Sequence, residues 1–159
     1  MEAAPLTPAE QVVAAGLDEL LLPRMLRHRA RVLAAGMPFW LISGRRSSSQ
    51  QAGLNAQREA AHAAWVRGGK VGPEPRPAAP ESKHEYGMAY DFAGPRNDAE
   101  FARAGELAEL EGLESGHRYR QRDNGHVEVP DELAAVKSLV GLRMAAAAAV
   151  VGAAWAWAK

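Results

Sequence analysis

Only a few stretches of this chain can form strands, and they are short and unevenly spaced. Phe39-Trp40-Leu41-Ile42 is an apolar run bounded by Pro38 and Ser43-Gly44, and it reads as a buried strand. Tyr86 to Phe92 holds a second strand, and His117 to Val129 reads as a hairpin turned at Asn124-Gly125. Most of the rest carries helix signals. Thr7-Pro8-Ala9-Glu10 is a capping box with proline at the first helical position, and its helix stops near Gly16. A second helix is expected from about Asp18 to Ala35, interrupted or restarted at Pro23 and ended by Gly36. A third starts within Ser47 to Gln51 and runs to about Trp65, and a fourth covers Asn97 to Glu111. Strands this few, not interleaved regularly with helices, do not build a doubly wound parallel sheet. The expected fold is α+β: a small antiparallel sheet flanked by helices.

The 159 residues suit one domain with its own core. Lys and Arg balance Asp and Glu, 19 against 19, which argues against a nucleic-acid partner. The basic clusters Arg24 to Arg31 and Arg118 to Arg122 read as solvated faces. There is no cysteine, so disulfides, thiolate zinc knuckles and a cysteine nucleophile are excluded. Any metal must be held by nitrogen and oxygen. Met1-Glu2-Ala3-Ala4-Pro5 has neither a basic nor an apolar signal region, so no secretory signal is expected. Gly68 to Pro80, with three glycines and four prolines, is a loop or extended arm. A long alanine-rich helix is expected after Pro130. Its end, Met144 to Ala158, is free of charge and carries Trp155 and Trp157. The expected division is therefore a main domain over 1–143 and a terminal helix over 144–159. That helix either docks on the domain or meets a membrane or envelope surface through its tryptophans.

Two segments carry chemistry. The first is Ser82-Lys83-His84-Glu85-Tyr86-Gly87-Met88-Ala89-Tyr90-Asp91-Phe92. His84 and Asp91 are suitable zinc ligands, but a fully extended chain would hold them roughly 23 Å apart. Both reach one ion only if the chain bends, and Gly87 permits a bend. Beyond it, period-two alternation puts Met88, Tyr90 and Phe92 on a core face and Ala89 and Asp91 on the other. The plainer alternative is a loop histidine and a strand-ending aspartate.

The second segment is Asp123-Asn124-Gly125-His126-Val127-Glu128-Val129. If Asn124-Gly125 is the centre of a two-residue turn, Asp123 and His126 face each other across two strands. His126 then suits a metal ligand and Asp123 a general base. Glu128, on the face of His126, steadies the site from behind, while Val127 and Val129 face the core. The alternative is an ordinary surface hairpin in which Asp123 is only good turn chemistry.

Together, Ser-x-His-x-x-Gly-x-Ala-x-Asp and Asp-x-x-His-x-Glu resemble the LAS group of zinc peptidases. That group comprises D-alanyl-D-alanine carboxypeptidases, L-alanyl-D-glutamate endopeptidases of phage endolysins, and hedgehog domains. Ser43-Gly44-Arg45-Arg46-Ser47, with Gln51 beyond, resembles the group's Ser-Gly-aromatic-Arg-Ser segment. The resemblance covers roughly Phe39 to Val129. It implies one Zn2+ held by His84, Asp91 and His126, with Asp123 as catalytic acid/base. It further implies Arg46 on the substrate carbonyl and developing oxyanion, and Ser82 and Gln51 in contact with substrate. The implied substrates are peptidoglycan stem peptides. A monomer is expected, made in the cytoplasm without a signal peptide and reaching the wall by phage-type release. Asp123, where other branches carry glutamate, leans toward the L-alanyl-D-glutamate endopeptidases. A D-alanyl-D-alanine carboxypeptidase and a catalytically inactive zinc-containing binding module are the alternatives. Arg45 departs from the pattern where an aromatic is usual, Ser115 where tryptophan is, and Val127 where phenylalanine is. Of the other histidines, His28 and His62 read as surface residues, and His117 is the one competitor for a ligand role.

Overall fold

The structure, a computed structural model, describes residues 5–75 and 82–135. Helix α1 (Pro8–Ala15) opens with the expected capping box: the Thr7 side chain accepts from the Glu10 amide, and Glu10 returns the bond to the Thr7 amide. Glu10 has a second task. Its other carboxylate oxygen accepts the Leu41 amide at 3.1 Å, so α1 satisfies an exposed sheet edge. Helix α2 (Leu22–Ala34) follows with Pro23 in its first turn, where a missing N–H costs nothing. Strand β1 (Trp40–Ser43), helix α3 (Ser48–Arg67), strand β2 (Ala89–Ala93), helix α4 (Asp98–Glu109), strand β3 (Glu114–Ser115) and strand β4 (His126–Glu128) complete the order. A 3-10 turn over Lys83–Tyr86 leads into β2, and another over Gly116–Arg118 follows β3.

The four strands form one antiparallel sheet in the order β1-β2-β4-β3. The α+β expectation therefore holds. One sheet face supplies Leu41, Tyr90, Phe92 and Val127 to the core, which α2 and α4 fill with Met25, Val32, Ala104 and Leu107. The opposite face carries the polar residues of the two motifs, His84, Asp91, His126 and Glu128 among them.

Three expectations need correction. The run at β1 is not a buried strand: Trp40 and Ile42 are 55% and 59% exposed, while Phe39 and Leu41 are buried. β1 is the sheet edge, so its outward side chains meet solvent. His28 is not a surface residue; it is fully buried. It lies three residues after Met25 and four before Val32, on the buried stripe of α2, and its charged neighbours conceal that position. The hairpin over His117 to Val129 is also different. Gly125 takes φ 87° and the His126 amide closes the turn onto the Asp123 carbonyl at 3.0 Å. Asn124, however, stays out of the left-handed region, so this is not the two-positive-φ turn of a tight hairpin. The preceding strand that pairs with β4 is Glu114–Ser115, and Asp123 lies in the connection between them.

Among the described residues no helix is long and apolar enough to cross a membrane. The expected terminal helix over 144–159, and with it the division at 143, lies outside the described residues.

Candidate metal centre and active site

Asp91 stands directly opposite His126 in the β2–β4 ladder, so the two side chains share the sheet face turned from the core. His84 arrives from the 3-10 turn. The chain bends at Gly87, whose φ is 71° and whose missing Cβ would sit 2.6 Å from the Gly16 carbonyl oxygen. Three donor atoms converge: His84 Nε2 and His126 Nδ1 are 3.3 Å apart, and Asp91 Oδ1 lies 3.4 Å and 3.1 Å from them. Tetrahedral ligands about 2.0–2.1 Å from zinc are about 3.3 Å from one another. Two imidazole nitrogens and one carboxylate oxygen at that mutual spacing fit a zinc-like ion.

Each donor is aimed by a second bond. His84 Nδ1 donates to the Gly44 carbonyl at 2.6 Å, which leaves Nε2 as the lone-pair nitrogen in the cluster. His126 Nε2 meets Glu128 Oε2 at 2.9 Å, which leaves Nδ1 facing the other two donors. Asp91 Oδ2 accepts from Ser43 Oγ at 2.6 Å and from Arg46 Nη2, freeing Oδ1 for the cluster. The register of β1 slips between Leu41 and Ser43, and that irregularity sets Ser43 opposite Asp91.

The charges follow from these contacts. Burial opposes ionisation of Asp91, but hydrogen bonds from His126, His84 and Ser43 overcome it and hold the carboxyl well below its usual range. Burial likewise opposes the His126 cation, but Asp91 and Glu128 outweigh it and raise the imidazole to about 9. Glu128 is brought down to about 2 against its own burial by His126, Lys83 and Tyr119. Lys83 links that carboxylate to the chain beyond β4, bonding Glu128 Oε1 at 3.0 Å, the Val129 carbonyl at 2.7 Å and Asp131 at 2.7 Å. Burial, reinforced by Glu128, pushes the Tyr119 phenol far above its ordinary value, so it stays a protonated donor.

A cavity of about 480 Å³ opens over the three donors. Arg46, Ser82, Asp123 and Glu128, all nominated from sequence, line it with His84, Asp91 and His126. Asp123 is fixed by its backbone: its amide donates to Gly116 at 2.9 Å and its carbonyl receives His126. Gln51 is placed differently from the expectation that it touches substrate. It is 3% exposed, bonded to Asn55 at 3.1 Å, and is not part of the cavity lining. His117 bonds Asn124 and is outside the donor cluster. Sequence reasoning missed Arg58, Lys83 and Tyr119 as lining residues; only Lys83, between Ser82 and His84, was signalled by its neighbours.

No protein-family model matches this sequence, and no curated protein matches it. Solved structures do. The Serratia marcescens L-Ala D-Glu endopeptidase ChiX superposes with a TM-score of 0.55 at 17% identity, over 81% of this chain and 92% of its own. This chain has the fold of the LAS zinc peptidases. VanYB in complex with D-alanine-D-alanine gives 0.54 at 16% identity, over 76% of this chain and 75% of its own. The vancomycin-resistance D,D-pentapeptidase VanY in complex with Zn(II) gives 0.52 at 16% identity, over 76% of each chain. The donor cluster of this chain lies on the sheet face turned from the core.

Proposed function

We propose that this protein is a zinc-dependent peptidase acting on the stem peptides of peptidoglycan, and that it cuts between L-alanine and D-glutamate. The observation that carries the proposal is the donor triangle of His84, Asp91 and His126 in one cavity with Asp123 and Arg46. Three protein ligands suit a catalytic rather than a closed structural site. The fold likeness supports the substrate class, since the ChiX structure is of an L-Ala D-Glu endopeptidase and the VanY structures are of a D,D-peptidase. Coverage of 92% of ChiX and an aspartate at position 123 favour the endopeptidase bond.

His84, Asp91 and His126 would hold the ion, which when bound supplies a Lewis acid and brings the pKa of water toward about 7. The chain's own residues do the rest. Asp123 Oδ takes a proton from the attacking water and delivers it to the leaving amine nitrogen. Arg46 is fixed on Asp91 and Ser43 by one guanidinium nitrogen and lines the cavity. It presents a permanent cation to the scissile carbonyl oxygen as charge develops there. Glu128 and Gly44 keep the two imidazoles in the orientation described, so no reorganisation precedes the reaction.

The test is digestion of purified peptidoglycan by the zinc-loaded protein, with products read by mass spectrometry. The expected products are glycan-linked L-alanine and peptides with a new D-glutamate amino terminus. Release of free D-alanine instead would reassign the protein as a carboxypeptidase. Asp123→Ala is expected to keep zinc and lose cleavage, and His126→Ala to lose both. Full cleavage by either variant refutes the assignment.

A further inference from the structure

The cavity lining holds an unspent cation. Arg46, Arg58 and Lys83 are its three Arg or Lys residues. Lys83 is neutralised by Glu128 and Asp131, and Arg46 is paired with Asp91. Arg58 is half-buried on α3, and among the described residues no carboxylate lies within ion-pair distance of it. Arg58 borders both this cavity and a neighbouring one lined by Glu59, His62 and Glu74, and a half-buried guanidinium with no carboxylate of the described residues paired to it gains from a ligand that supplies one. The lining as a whole points the same way. With the histidines neutral, as metal ligation requires, Asp91, Asp123, Glu128 and Asp131 give it one negative charge in excess of its Arg and Lys cations. A divalent ion reverses that excess to one positive charge, so the loaded cavity suits an anionic ligand.

The proposed reaction offers a particular anion. D-glutamate in a stem peptide is joined onward through its side-chain carboxyl. Its α-carboxylate therefore remains free, on the carbon that bears the scissile nitrogen. We propose that Arg58 is a specificity residue that receives this free carboxylate and so seats the leaving side of the substrate in the cavity. The inference rests on the peptidase reading and deepens it. Planar bidentate pairing with carboxylate is what a guanidinium provides and an ammonium does not. Stem peptides carrying a carboxamide at this carbon would lose the ion pair and keep every other contact.

The experiment compares two synthetic stem peptides, one with the free α-carboxylate and one with the carboxamide. Their Kd values are measured by calorimetry on the zinc-loaded Asp123→Ala protein, where turnover does not interfere, with and without Arg58→Gln. The acid peptide is expected to bind at least about tenfold tighter than the amide, and Arg58→Gln to bring the ratio to within about twofold of one. Arg58→Lys is expected to fall between. An acid-to-amide ratio that Arg58→Gln leaves unchanged overturns the proposal, as does the absence of any preference in the parent. Cleavage of the acid peptide by the unmutated protein is scored separately. Arg58-dependent binding without cleavage refutes the peptidase and keeps the carboxylate site. Cleavage with a preference independent of Arg58 does the reverse.

Discussion

His28 makes acid stability testable at a site remote from the metal ligands. Its Nε2 lies 2.9 Å from the Ala104 carbonyl, which only accepts, so Nε2 carries the proton. Nδ1 must then accept from the Tyr90 hydroxyl at 2.6 Å. Both ring nitrogens are satisfied by the neutral form, and Phe39 and Phe92 meet the ring edge-on. Burial therefore lowers the pKa from 6.5 to about 4, against smaller opposing effects of Ala104 and Glu111. Because the folded value is depressed for a base, the unfolded chain binds more protons between these values. Stability is complete above about pH 6.5 and falls as the pH drops toward 4. Linkage with these two values gives a loss of about 2 kcal/mol between pH 8 and pH 5 from this residue alone. Urea unfolding of the unmutated protein and of His28→Gln, with chelator present, measures it. The variant is expected to start about 1–3 kcal/mol less stable at pH 8 because Tyr90 and Ala104 lose well-placed partners. The gap between the two proteins should then narrow by about 2 kcal/mol by pH 5. His126 is raised to about 9, so its contribution is lost as pH rises through that value; it is common to both proteins and cancels. Parallel stability profiles from pH 8 to pH 5 would refute the reasoning.

Three further outcomes are expected. A Cβ at Gly116 would lie 2.7 Å from the Asp123 carbonyl oxygen and 3.1 Å from His126 Cβ, so Gly116→Ala should displace both and lower kcat about 10- to 100-fold in a stem-peptide assay. Ser43→Ala removes the 2.6 Å bond to Asp91 Oδ2 and should weaken zinc about tenfold in competition with a chromogenic chelator. Zinc at about a thousand times its Kd should add about 4 kcal/mol to unfolding free energy, reversed by chelation, with the far-ultraviolet circular dichroism of the folded state unchanged.

The pieces of this site that depend on local chemistry were legible in the sequence. Gly87 marks the bend that brings His84 toward Asp91, and alternation through Tyr90, Asp91 and Phe92 places the carboxylate off the core. A capping box locates the start of α1, and the start expected within Ser47 to Gln51 locates that of α3, where the structure shows a second capping box. What failed was long-range. The partner across from His126 is Asp91, 35 residues earlier, and not Asp123, because β4 pairs with β2 through a register that no local pattern encodes. Trp40 and Ile42 look like core residues until β1 is known to be an edge. Arg58 could not be connected to Arg46 without knowing that both α3 and the loop before it border the same cavity. His28 was within reach, since the spacing of Met25, His28 and Val32 is a helical stripe, but arginines on either side masked it.

The two kinds of information meet in how the donors are held. Each ligand owes its orientation to a partner from another part of the chain: His84 to Gly44, Asp91 to Ser43 and Arg46, and His126 to Glu128, itself braced by Lys83. None of these partners belongs to the hydrophobic core, which is built on the opposite sheet face by Tyr90, Phe92, Val127 and the helices. The residues that orient the donors and the residues that build the core thus lie on opposite faces of one sheet. Substitutions in the polar shell should therefore change metal affinity, and the stability of the metal-loaded protein through it, more than they change stability measured with chelator present. Donors held at zinc spacing by bonds to the rest of the chain are what a reaction centre requires, because a ligand set fixed by its surroundings adds little reorganisation to the barrier.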